Sequence, residues 1–196
     1  MDAIDRALDF AVGGLPTMRR DLCIIRGASG VGKSALAARL VRACPDSLWI
    51  DADVLDANSA DQVGAIADKL VTAARLSLLD IHVPGPVVYS GFTRFDDHLR
   101  AELRYRFASV KVITLHLSDS EFASRYRQRA RFRGWRADDL DAQAQINRAV
   151  KVLPSEPYQF VLDASLDLAE LTSLAVTIVG GARAASRRGR MTLRAL

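Results

Sequence analysis

This sequence predicts an α/β fold, a five-stranded parallel sheet with helices on both faces, on three observations. Short apolar runs of strand length recur along the 196 residues. A stretch with apolar residues at helical spacing separates each run from the next. The runs are continuous rather than alternating, as in strands buried on both faces. Strands that alternate with helices in this way imply parallel pairing through right-handed crossovers.

The opening IDRALDFAV reads as a short leading helix, ended by Gly13, Gly14 and Pro16. Residues 22–25 form the first strand. It stops at a glycine-rich turn and gives way to SALAARLVRAC, a strong helix former. Residues 48–50 make a second strand that ends at Asp51. Residues 61–79 have the pattern of a long amphipathic helix, with Asp61 as a cap. A third strand covers residues 86–89, and a helix follows over residues 94–107. The β-branched run at residues 110–117 is the fourth strand. Residues 119–131 are helical, residues 132–136 form a loop, and residues 138–150 return to helix. Residues 158–162 make the fifth strand after Pro154 and Pro157, and residues 166–179 a closing helix.

Composition sets outer bounds. A 21.4 kDa chain with 49% hydrophobic and 26% charged residues is ordinary globular material, which excludes collagen-like, coiled-coil and disordered readings. No apolar run reaches the ~18–20 residues of a membrane span. The N-terminal ten residues carry three acids and no basic-then-apolar leader, and two cysteines cannot build a disulfide scaffold. The expected compartment is the reducing cytoplasm. Lys and Arg number 27 against 23 Asp and Glu, a net charge of +4. Five of those arginines (Arg183, Arg187, Arg188, Arg190 and Arg194) lie in residues 183–196 with no acid, so residues 1–182 carry −1. The basic character belongs to a solvated, disordered tail, and residues 1–182 form the single domain. That distribution argues against a nucleic-acid partner, which needs a basic face on the domain itself.

One motif carries strong chemistry. Gly27-Ala28-Ser29-Gly30-Val31-Gly32-Lys33-Ser34 matches G-x-x-x-x-G-K-[ST] at every fixed position, between a strand and a helix. Glycines let the backbone curl so that successive N–H groups meet phosphate oxygens, and the helix N-terminus adds positive potential there. Lys33 reaches the β- and γ-phosphates, and Ser34 offers its hydroxyl to Mg²⁺. The expectation is a P-loop NTPase fold that binds ATP with Mg²⁺. Asp51 and Asp53 lie at i and i+2 where the second strand ends. Carboxyl ends of parallel strands face the ligand crevice, so both acids emerge near the phosphates. One would hold a metal-bound water and the other would accept a hydroxyl proton.

GASGVGKSALAARL, WIDADVL, VVYSGFTRFDDHLRAELR and VITLHLSDSEFASRYRQRARFRG together resemble the small-molecule P-loop kinases, with gluconate kinases, shikimate kinases and chloramphenicol phosphotransferase as the nearest patterns. The resemblance covers about residues 22–179, and only the P-loop is specific in itself. It implies Asp51 near magnesium with Ser34, and Asp53 on the substrate as catalytic base. It also implies that Ser90 and Gly91 line the acceptor pocket, with Arg94 as a basic residue beside them. The pattern departs from the family in two places: no acid ends the third strand, and the glycine triplet of shikimate kinases is missing after it.

Arg125, Arg127, Arg129, Arg131, Arg133 and Arg136 crowd one segment. Arg125 and Arg129 share a helix face, and guanidinium forks suit phosphate geometry. By resemblance to gluconate kinases, a lid over residues 125–137 closes on the triphosphate, with Arg125 and Arg129 on the nucleotide and Arg129 catalytic. Trp135 would cover the closed site. The chain also holds 23 Arg against only 4 Lys, so part of this excess is compositional. His116, inside a strand, reads as a satisfied core residue, His98 as a candidate for the acceptor pocket, and His82 as neither. Cys23 and Cys44 read as small core residues.

The reading that follows is a phosphotransferase with an alcohol-group acceptor, a kinase moving the γ-phosphoryl of ATP to a hydroxyl of a metabolite or antibiotic. A nucleoside monophosphate kinase ranks second, because residues 57–83 supply only Lys69 and Arg75 to hold a nucleotide phosphate. A non-catalytic NTP-binding module ranks third.

Overall fold

The computed structural model describes residues 20–44, 47–52, 85–91, 103, 107–133, 139–149 and 158–180. Five strands, β1 (Asp21–Arg26), β2 (Leu48–Asp51), β3 (Val87–Ser90), β4 (Ser109–His116) and β5 (Gln159–Asp163), form one sheet in the order β2-β3-β1-β4-β5. Every pairing is parallel. The expected fold class is therefore the observed one. Among the described residues, four helices accompany the sheet: α1 (Lys33–Ala43), α2 (Asp119–Arg133), α3 (Asp139–Ala149) and α4 (Leu168–Gly180).

Alternation along the strands divides the buried residues between two faces. Cys23, Ile25, Val88, Ile113 and Leu115 share a core with Leu36, Ala37 and Leu40 of α1, Phe122 and Tyr126 of α2, and Leu171 and Ala175 of α4. The intervening Leu22, Ile24, Val87, Tyr89 and Val112 are just as deeply buried, so the sheet is covered on both sides. That double burial is why the strands read as unbroken apolar runs.

Helix ends follow local chemistry. Ser118 caps the start of α2: its Oγ accepts the Glu121 N–H at 3.4 Å, and its hydroxyl donates to Glu121 Oε2 at 2.5 Å. Asp167 caps α4 by accepting the N–H groups of Ala169 and Glu170 at 2.7 and 2.9 Å, which moves the expected start from residue 166 to Leu168. The last turn of α4 holds no basic residue. Lys111 of β4 supplies the charge instead, donating to the carbonyls of Ile178 and Val179 at 2.8 and 2.9 Å. α2 runs two residues beyond the expected end, through Phe132 and Arg133, because no glycine or proline interrupts it before Gly134. Phe132 stays 85% exposed.

α3 is fastened by a fully buried carboxamide. Asn147 Nδ2 donates to the Leu117 carbonyl at 2.8 Å, and Asn147 Oδ1 accepts the Leu117 N–H at 3.1 Å. The side chain thus pairs with the residue just past β4 as a neighbouring strand would. Asn147→Ala leaves both Leu117 groups buried without these partners. It should destabilise the protein by about 2–4 kcal/mol, read as a lowered urea midpoint at unchanged m-value.

The expected leading helix, the helix over residues 61–79 and the tail at residues 183–196 lie outside the described residues, as does most of residues 94–107. Among the described residues, no helix is long and apolar enough to cross a membrane.

Candidate active site

The phosphate loop joins central strand β1 to α1 and is held from several sides. Ala28 and Val31 sink into the core, and the Val31 N–H donates to the Ala28 carbonyl at 3.4 Å. Gly27 takes φ +144, and a Cβ there would lie 2.6 Å from the Leu115 carbonyl oxygen and 2.9 Å from Val31 Cγ1. No side chain fits between the loop and β4. Gly27→Ala should cost about 2–4 kcal/mol of stability, measurable by chemical denaturation, from backbone strain and overpacking together. On the other side, Tyr126 of α2 lies over Gly30, 3.8 Å from where a Cβ would stand.

Gly32, in the left-handed region, precedes α1, and that helix has no side-chain cap and no acid in its first turn. The other helices described each carry an acid in the first turn. An acid at the start of α1 would compete with an anion for the same N–H groups, so the local sequence keeps them for a ligand. Lys33 folds its ammonium back over the loop and donates to the carbonyls of Gly27 and Ala28, both at 3.0 Å. Ser29 donates its N–H to Gln143 Oε1 at 2.8 Å.

Beyond the loop, the end of β3 and the start of α1 converge on one carboxylate at the end of β2. Asp51 Oδ2 accepts the Ser34 hydroxyl at 3.1 Å and the Ser90 hydroxyl at 2.7 Å. Trp49 Nε1 in turn donates to Ser90 Oγ at 2.9 Å. Register explains the meeting: Asp51 pairs with Ser90 across β2 and β3, and the Gly91 N–H donates to Ile25 O of β1 at 3.1 Å. Ala52 extends the ladder by donating its N–H to Ser90 O at 2.9 Å. The serine that ends β3, where an acid was missing, is thus a relay between Trp49 and Asp51. Ser90 is buried, with its hydroxyl committed to these two partners, which sets it back from the pocket-lining role the resemblance implied. At Gly91 only a glycine fits, since a Cβ there would meet Ala52 Cβ at 2.5 Å and the Tyr89 ring at 2.7 Å.

The arginines divide. Arg125 is exposed and donates from Nη1 to the Ala164 carbonyl at 3.0 Å, in the turn after β5. Arg129, one turn on, is half-buried. Both ride on the regular helix α2. Residues 134–138, the rest of the expected lid, lie outside the described residues, as do Asp53, Arg94, His82, His98 and Trp135. The expectation of a satisfied His116 is corrected. It ends β4 half-buried, and its buried Nδ1 has no hydrogen-bond partner among the described residues. Opposite it in the ladder is Asp163, whose carboxyl is held below the usual range by the Ser165 N–H, with the charges of His116 and Arg125 adding to the effect. Cys23 is a core residue, its thiol pushed up to about 12 by burial, and Cys44 packs half-buried against the same core.

Three contributors had not been singled out from sequence. Gln143 and Asn147 have no motif, and their partners are backbone groups that no residue pattern announces. Arg26 stands at the end of β1 and belongs to no motif. It is buried, donates to Thr114 Oγ1 at 2.8 Å and to Gln159 Oε1 at 3.4 Å, and its basicity is lowered by burial. Among the described residues, no three His, Cys, Asp or Glu side chains group as a metal site. A metal here would rest on one carboxylate and one hydroxyl.

The fold is matched in known structures. A gluconokinase from Sinorhizobium meliloti aligns at TM-score 0.53 and 22% identity, over 83% of this chain and 94% of its own. The tunicamycin resistance protein of Deinococcus radiodurans aligns at TM-score 0.58 and 20% identity, over 83% and 96%. The APS kinase of Mycobacterium tuberculosis, solved with AMPPNP and APS, aligns at 0.52 and 18%, over 83% and 98%. No family model matches the chain, and no curated protein matches it. The fold is that of the small-molecule P-loop kinases, as the sequence resemblance implied.

Proposed function

We propose that this chain is a phosphotransferase that moves the γ-phosphoryl group of ATP to a hydroxyl of a small molecule, a metabolite or an antibiotic. The observation that carries the reading is the convergence of the Ser34 and Ser90 hydroxyls on Asp51 Oδ2, beside a loop that carries Lys33.

The residues divide the work. Backbone N–H groups of residues 27–34 cradle the phosphates, and Lys33 exchanges its two carbonyl partners for β- and γ-phosphate oxygens. Hydroxyl and carboxylate oxygens are the hard donors that Mg²⁺ takes, so Ser34 and Asp51 fit that ion. Bound there, it would supply neutralising charge to the phosphates. Arg125 and Arg129 offer guanidinium forks to the nucleotide, with Arg129 on the transferred group. Gly91 and Arg94 flank the acceptor. Asp53 takes the acceptor's hydroxyl proton as the acceptor oxygen bonds to the γ-phosphorus. The bond from that phosphorus to the β–γ bridging oxygen breaks, and ADP leaves. Free thiols at Cys23 and Cys44 suit a reducing cytoplasm.

The test is an acceptor screen that reads ADP release over hydroxylated metabolites, antibiotics and nucleoside monophosphates. Release stimulated by an alcohol, with a phosphate ester as product, supports the reading. Stimulation by nucleoside monophosphates alone moves the assignment to a nucleotide kinase.

A further inference from the structure

Among the described residues, three side chains of α3 tie it to the rest of the molecule by hydrogen bonds, beside the packing of Leu140, Ala144 and Ile146 on the core. Asn147 pairs with the backbone of Leu117, Arg148 Nε meets Asp119 Oδ2 at 2.9 Å, and Gln143 reaches the phosphate loop. Gln143 and Asn147 are four apart and share a helix face. Asn147 is satisfied by a backbone unit that has no other work to do. Gln143 is different. Its Oε1 accepts the N–H of Ser29, the third residue of the eight-residue motif, at 2.8 Å. The loop's chemistry consists of such N–H groups offered to phosphate oxygens. A carboxamide oxygen and a phosphate oxygen make the same demand on that donor, and one well-aligned N–H serves one acceptor well.

We propose that Gln143 is an affinity-setting residue, which claims one donor of the phosphate loop so that a polyphosphate must displace its carboxamide oxygen to use the full cradle. The proposal rests on the loop being the nucleotide site. The neutral carboxamide suits the role. Its hydrogen bond is modest in net strength, so a charged phosphate can win the exchange. A carboxylate in its place would grip the N–H harder and repel the incoming phosphate. Displacement removes one of the three ties of α3 and leaves the other two, so the helix stays anchored through Asn147.

The test measures the dissociation constant of Mg²⁺ with AMPPNP by calorimetry for wild type, Gln143→Ala and Gln143→Glu. With the competitor removed, Gln143→Ala should bind about 2- to 10-fold more tightly. With the competitor strengthened, Gln143→Glu should bind at least about 10-fold more weakly than wild type. Opposite signs from the two variants are the signature. Gln143→Met, which keeps the length without a strong acceptor, repeats the first arm if the alanine variant melts early. Weakening by Ala and Met alike would overturn the proposal, because Gln143 would then support bound phosphate. Unchanged affinity in all variants, or equal affinity in the Ala and Glu variants, would overturn it too. Wild-type protein that binds no AMPPNP at all would remove the nucleotide site itself. Binding that Gln143 does not tune removes this inference alone.

Discussion

Lys33→Ala is expected to lower phosphoryl transfer by at least about 10²–10³-fold while the protein stays folded. The Lys33 ammonium donates to two loop carbonyls and is only half-buried, and the core beneath the loop is built by Ala28, Val31, Leu36 and Leu40 without it. The stability measured by urea should therefore shift little, while both nucleotide affinity and turnover collapse. Near-native turnover in a folded Lys33→Ala protein would refute the P-loop as the site of transfer.

Asp53→Asn carries the second large effect. The substitution preserves size but cannot take a proton, so kcat should fall by about 10²–10⁴-fold at unchanged ATP affinity. Asp51→Asn should behave differently. Asp51 Oδ2 already accepts two hydroxyls, and its proposed partner is the metal, so the variant should need more Mg²⁺ for half-maximal rate. Steady-state kinetics with the acceptor found by the screen, titrated against Mg²⁺, separates the two. An Asp53→Asn enzyme running at the wild-type rate would reduce the aspartate pair to a solvated strand end.

The sheet was legible because burial on both faces leaves its mark in residue type: Leu22, Cys23, Ile24 and Ile25 can be read only as a covered strand. The loop was legible because its glycines answer a backbone requirement, shown at Gly27, where a Cβ would collide with β4. Asp51 was singled out by the rule that strand ends face the crevice, and it ends β2 within hydrogen-bond reach of Ser34. The Ser90 relay was not, since a serine at a strand end has many uses, and only the register of β2 against β3 puts it opposite Asp51. Gln143 and Asn147 were invisible for a related reason. A carboxamide on a helix resembles any surface residue until the backbone it touches is brought up from far away in the chain. The end of α2 was misjudged because residues 132–136 looked like loop, whereas Phe132 and Arg133 do not break a helix.

The position of β1 in the sheet has a consequence for biosynthesis. The strand that carries the phosphate loop is central, and Leu22 pairs with Val87 on one side and Val110 on the other. A nascent chain that has emerged only through the loop and α1 therefore lacks the β3 and β4 partners of β1, while α1 can cover only one face of that strand. Strand edges without partners invite association with other chains. Translation must deliver β3 and β4 before the cradle has walls, so nucleotide cannot assist the early folding of the segment that will hold it. Slow synthesis between residues 44 and 109 should therefore lower soluble yield more than the same delay placed after β5.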